Sequence, residues 1–294
     1  MTDSVNTNIN ALAAVQALSV IGNQLSQTQN AIETGLKVGS ASDNPAVFTI
    51  AQGLRANTGA LSAVSDTIAT GLATLQGATS GATSIDNALS SLLQVVTQSE
   101  GQQGSALSAS LSAVSNLLAN IDTFAAETTI NGVNLVSGSY SATGSATGST
   151  APSTSLTVIT NLTGSGLTVS QQSISTKDLS LTTTSGTATG SLLSAVSAGT
   201  TLGTQSAINL VQSAINTVGT ALATLGAYQG ELTGLEDFTN QLNTSTTTTI
   251  GAISDANLAE ESAKLSSLQT KQQLATQSLS IANQAPSSLL SLFR

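Results

Sequence analysis

DANLAEESAKLSSLQTKQQLATQSLSIANQAPSSLLSLFR, residues 255–294, carries a seven-residue ladder at Leu258, Leu265, Gln272, Leu279, Pro286 and Phe293. Glu261, Leu268, Ala275, Ala282 and Leu289 are interposed at the coiled-coil offset. Most of these positions are Leu, Ala or Phe, so one stripe of a long helix is apolar and must be buried against another helix. A helix of about forty residues at ~1.5 Å each is roughly 60 Å long. That exceeds the core of a compact domain, so the stripe needs a long partner.

The other end of the chain supplies one. A matching register falls on Ala11, Ala14, Leu18, Ile21, Leu25, Thr28, Ile32 and Gly35. The expected assembly seam comprises Leu18, Ile21, Leu25 and Ile32 on the N-terminal side. On the C-terminal side it comprises Leu258, Leu265, Leu268, Leu279, Leu289 and Phe293. Isolated helices of this composition are marginal in water, so both segments are expected to order only when their stripes are covered.

Composition says what covers such a chain. Only 7% of its 294 residues are charged, against about 25% in an ordinary soluble domain. Mean hydropathy is +0.21 and aromatics are 2%, so buried contacts are aliphatic and the cover is expected to be further copies of the chain. Six scattered basic residues and a net charge of -9 exclude a phosphate-binding surface, hence no nucleic acid. No run of apolar residues is long enough for a membrane span. The first basic residue is Lys37, which argues against a cleaved secretory signal with a charged start.

Between the ends, Gly35, Gly39 and Pro45 break the helical period, with Asn44 and Pro45 placed to start a new helix. From Leu61 the ladder Leu61, Val64, Ile68, Gly71, Leu75, Ala78, Ala82, Ile85, Leu89, Leu92, Val96 departs from apolar character only at Gly71. A turn at Gly101 and Gly104 leads to Leu107, Leu111, Val114, Leu118, Ile121 and Ala125 at the same spacing. Asn131-Gly132 between Ile130 and Val133 is a tight hairpin signal. Past Ser137 the chain turns to Ser, Thr and Gly. Alternation at Leu156/Val158, Leu167/Val169 and Leu179/Leu181 predicts short strands in a small, variable insert. The helical ladder resumes at Ile208, Val211, Ile215, Val218, Leu222 and Leu225. The fold class is therefore mainly α: long antiparallel helical rods, a coiled coil of paired N- and C-terminal segments, and a small β-rich central insert.

Specific motifs add a resemblance. Val5-Asn6-Thr7-Asn8, the segment Gly35–Asp43, Ile130-Asn131-Gly132-Val133 and the ending Ala282-Asn283-Gln284-Ala285-Pro286 through Leu292-Phe293-Arg294 resemble the corresponding motifs of the bacterial flagellins. Leu258 to Leu265 and the Phe-Arg ending look like the alphaproteobacterial branch. The resemblance covers roughly residues 4–136 and 205–294. It implies a flagellar filament subunit, a homopolymer that is secreted and extracellular. It implies export through the flagellar type III apparatus, with an export chaperone, hook-junction proteins and a cap protein as partners. It also implies a D0 region at 1–42 and 255–294, a D1 region at 43–137 and 201–254, and a D2 insert at 138–200.

Catalysis has little to stand on. The chain holds no His and no Cys, which removes Ser-His-Asp, Cys-His and most zinc chemistry, and no cofactor or metal is expected. Glu236-Asp237 and Glu260-Glu261 are adjacent pairs whose side chains diverge by about 100° on a helix, which suits solvated charge. The alternative to a filament subunit is a stalk whose insert acts as an adhesin or glycan-binding module. It is weakened by the insert's single aromatic, Tyr140.

Overall fold

Asn44 starts the longest helix as its spacing requires. Its Oδ1 accepts the Val47 N–H at 3.2 Å and its carbonyl accepts the Phe48 N–H at 2.9 Å, with Pro45 in the position where a missing N–H is harmless. The computed structural model describes residues 8–137, 155–172, 174, 179 and 205–292, with no side chain beyond 284. In chain order it shows α1 (Ile9–Thr34), α2 (Pro45–Gln98), α3 (Gly104–Glu127), β1 (Ser155–Ile159), β2 (Gly166–Ser170), α4 (Gln205–Ser254) and α5 (Leu258–Leu292). The chain divides into two compact units, Met1–Gly59 with Asn243–Arg294, and Ala60–Leu242.

In the unit Ala60–Leu242 the ladder on α2 is buried throughout, from Leu61 to Val96. From Val64 onward it shares one core with Val114, Leu118, Ile121 and Ala125 of α3 and with Val211, Val218 and Leu225 of α4. At the end of α3, Asn134 organises the turn. Its amide donates to the Ala125 carbonyl at 2.8 Å, and its Oδ1 accepts the N–H groups of Val136 and Ser137, both at 2.8 Å. Asn131 and Gly132 take φ of 51° and 76°, the left-handed pair a two-residue hairpin turn needs, and Ile130 and Val133 exchange both backbone hydrogen bonds.

The insert differs from expectation. β1 and β2 form the antiparallel hairpin that alternation predicts, with Leu156 opposite Val169 and Val158 opposite Leu167. Leu179 lies in a turn rather than a strand, and Leu181 lies outside the described residues. The hairpin's apolar face packs on the helices: Leu156, Val158, Val169, Ile174 and Leu179 are buried in the same core as α2, α3 and α4. Backbone bonds sew the strand's exit to the turn after α3: Gln172 N–H to the Leu135 carbonyl at 2.7 Å, and Ile174 N–H to that of Val136 at 3.1 Å.

This explains Gly71, the one gap in the α2 ladder. A Cβ there would lie 2.5 Å from Val158 Cγ2, so the helix gives up a side chain to let the hairpin approach. The stretch Thr128–Ile130 approaches α2 in the same way at Gly77 and Gly81, where a Cβ would collide with Ile130 and Thr128.

Candidate functional site

The chain has no His and no Cys, and its most extensive candidate site is the surface that the terminal helices pair. Asn8 caps α1 by accepting the Ala11 N–H on Oδ1 at 3.0 Å. Asn257 caps α5 by accepting the Ala259 N–H at 3.2 Å, with Glu260 and Glu261 in the first turn, where the helix dipole favours acids. The two helices pack antiparallel. Asn8 Nδ2 donates to the Ala282 carbonyl at 2.7 Å, while at the other end the Ala256 N–H donates to the Gly35 carbonyl at 2.8 Å.

Between those pins several residues of the expected seam are partly or wholly buried. On α1, Leu18, Ile21, Leu25 and Ile32 are half-buried and Thr28 is fully buried. On α5, Leu265 and Leu279 are half-buried and Leu268 is fully buried at 3% exposure. Leu258 departs: it is 50% exposed, as the first residue of α5. A seven-residue ladder drifts about 20° per heptad on a straight helix, which carries Leu258 onto the flank of the stripe. The side chain of Leu289 and all of Phe293 lie outside the described residues.

Both helices also hold a second apolar face that no described residue covers. Ile9, Leu12, Val15 and Val20 on α1, and Leu274 and Ile281 on α5, stand exposed, Leu12 and Ile281 at 70%. At about 100° per residue these side chains lie roughly opposite the seam on each helix. Composition gave the signal for them, since a helix apolar on two sides needs two partners.

Where α1 and α5 meet the rest of their unit, the chain is clasped. Gly35 takes φ 70°, ending α1 in the left-handed conformation glycine favours. The carbonyl of the fully buried Ser254 then accepts the Lys37 N–H at 2.7 Å and the Val38 N–H at 3.3 Å. The Ser254 hydroxyl donates to the Val38 carbonyl at 3.2 Å and accepts from Arg55 Nη2 at 3.1 Å. Four hydrogen bonds, from the strap after α1 and from α2, thus converge on one residue that sequence reading did not single out.

The adjoining strap folds around Asp43. Its Oδ2 accepts from the Ser40 hydroxyl at 2.9 Å, the Ser40 N–H at 2.9 Å and the Gly39 N–H at 3.2 Å. The Ser40 hydroxyl first, then these N–H groups, hold the carboxyl below its ordinary value of 3.8. A depressed carboxyl pKa means the strap is favoured by the ionised form. That contribution is fully present above 3.8 and lost as pH falls through the lower folded value. Amide exchange at Gly39 and Ser40 is therefore expected to accelerate below pH 3.8 in the native chain but not in Asp43→Asn, and identical profiles would count against it.

An open groove of about 460 Å³ beside the strap is lined by Asn30, Thr34, Ser42 and Asp43 among others. Asp43 is already engaged there, and the groove offers no base to activate a hydroxyl. Among the described residues no group of three or more acids is placed to hold a metal ion, and no helix is long and apolar enough to cross a membrane.

With this geometry in place, comparison with known proteins is specific. Residues 5–141 match the bacterial flagellin N-terminal helical region, and residues 208–293 match the bacterial flagellin C-terminal helical region. The chain is 35% identical to flagellin FljK of Caulobacter vibrioides over 294 residues, covering 99% of each. It is 31% identical to a flagellin of Brucella melitensis over 294 residues, again 99% of each. Flagellin B of Rhizobium meliloti is 46% identical over 68 residues, which is 23% of this chain and 17% of that one.

Proposed function

The chain belongs to the bacterial flagellins and is a structural subunit of the extracellular flagellar filament, and from that premise we propose which of its parts do the assembling. The α1–α5 pair, built on Leu18, Ile21, Leu25, Ile32, Leu265, Leu268 and Leu279, is the assembly element, with Leu258 at its flank and Leu289 and Phe293 continuing the ladder. In the family's terms, residues 1–42 and 255–294 form D0, residues 43–137 and 201–254 form D1, and residues 138–200 are the insert. The hairpin at Ser155–Ile159 and Gly166–Ser170 belongs energetically with the helices that bury it.

The observation that carries this reading is the antiparallel pairing of α1 with α5 along one seam, leaving an opposite apolar face open. Other flagellin subunits are the natural cover, because a repeated contact between unlike faces propagates without closing. The export apparatus, an export chaperone and the hook-junction and cap proteins follow as partners from family membership. The helical termini fit a structural role rather than an enzymatic one.

Electron microscopy of the purified chain at high salt tests the reading. The full chain is expected to form long tubes, and the chain lacking residues 280–294 to form none while Ala60–Leu242 stays helical. Normal tubes from the truncated chain would refute the assignment of the terminal pair.

A further inference from the structure

α5 runs through Pro286, and proline has no N–H to donate to the carbonyl four residues back. That carbonyl belongs to Ala282, and it is the one Asn8 reaches: Asn8 Nδ2 donates to it at 2.7 Å. One side chain therefore does two jobs at the distal end of the pair. Its oxygen caps α1 through the Ala11 N–H, and its amide supplies the donor that Pro286 withholds from α5. The two residues lie 278 positions apart in sequence, one in each terminal motif.

We propose that Asn8 is a positioning residue for assembly, a distal latch that closes on the carbonyl freed by Pro286 and holds the outward apolar face in place. The clasp at Gly35 and Ser254 fixes the proximal end of the pair. At the distal end the seam holds Leu279 among Ala11, Ala14, Ala275 and Ala282, small residues that anchor weakly. Of the exposed large apolar residues described on the two helices, Ile9, Leu12, Val15, Val20, Leu274 and Ile281 lie in that half, and Leu258 alone lies at the other end. A frayed end would scatter the side chains that a second copy has to meet. Because the latch needs one residue from each terminus, only a chain with both ends in place can present the face.

The inference rests on the filament reading for its consequence, but the latch can be tested apart from it. Asn8→Ser keeps a capping oxygen and is too short to reach Ala282. In the full chain it is expected to speed amide exchange of residues 11–20 and 275–281 by roughly tenfold, leaving residues 257–268 unchanged. Pro286→Ala restores a helical N–H to the Ala282 carbonyl, so Asn8→Ser in that background is expected to change exchange less than threefold. Equal effects in both backgrounds would overturn the latch and leave Asn8 as a helix cap alone. The critical concentration for polymerisation should rise with Asn8→Ser by at least the same tenfold. Open distal amides with an unchanged critical concentration would overturn the positioning role, whereas a wild-type chain that never polymerises would fail the filament reading without touching the exchange result.

Discussion

A chain lacking residues 140–200 is expected to lose the cooperative unfolding of the unit Ala60–Leu242, not merely a surface module. The deletion removes Leu156, Val158, Val169, Ile174 and Leu179, all buried in the core shared with α2, α3 and α4. At about 1.5 to 3 kcal/mol for each buried side chain, the loss is on the order of 10 kcal/mol. A whole domain is stable by only about 5 to 15 kcal/mol. The deletion also strips the Leu135 and Val136 carbonyls of the N–H donors from Gln172 and Ile174, and it uncovers Gly71, which has no side chain to fill the space. Urea denaturation followed by circular dichroism checks this. A sharp transition at wild-type urea concentration would show that the hairpin rides outside the core. A milder variant reads the same contact: Gly71→Val forces Val158 aside and is expected to destabilise by about 1 to 3 kcal/mol. Gly59→Ala, with nothing near its added carbon, should be neutral or stabilising by up to about 1 kcal/mol.

The helices were legible because their stripes repeat. A side chain every three or four residues over fifty positions leaves one solution, so α2, α3 and the α1–α5 seam follow from the sequence. What sequence could not give was partnership between unlike elements. Gly71 reads as a defect in a ladder until Val158 is seen against it, and the alternation of Leu156 and Val158 shows that one face is buried without saying under what. Ser254 is one serine among many; only burial and four converging hydrogen bonds distinguish it. Asn8 and Pro286 were visible as motif residues, but their link is a backbone fact that no spacing records. Where the insert packs was hidden for the same reason: composition around it is low in complexity, while a few of its residues complete a core built elsewhere.

Leu268→Ala is expected to melt the α1–α5 pair while the unit Ala60–Leu242 stays folded. Among the described residues Leu268 is the one large seam residue of α5 that is fully buried, so its truncation should cost about 2 to 5 kcal/mol, whereas half-buried Leu265 and Leu279 should cost less. Little else resists. The ion pair of Lys264 with Glu261, at 3.4 Å with the lysine half exposed, contributes at most about 0.5 kcal/mol. Helices of 26 and 35 residues with few other internal pairs are marginal alone, so the loss should be cooperative. Circular dichroism should report the disappearance of both helices together, and polymerisation should fail. Thr28→Val moves the other way. The Thr28 hydroxyl is buried without a hydrogen-bond partner, unlike those of Thr34, Thr70 and Thr270, which donate to the carbonyl four residues back. Valine keeps the shape and removes an orphaned polar group, which should stabilise the pair by about 1 to 3 kcal/mol. Opposite shifts from two changes in one seam separate a packing defect from general damage. If Thr28→Val lowers the melting temperature, or Leu268→Ala leaves both helices intact, the buried line on α1 and α5 does not hold the ends together.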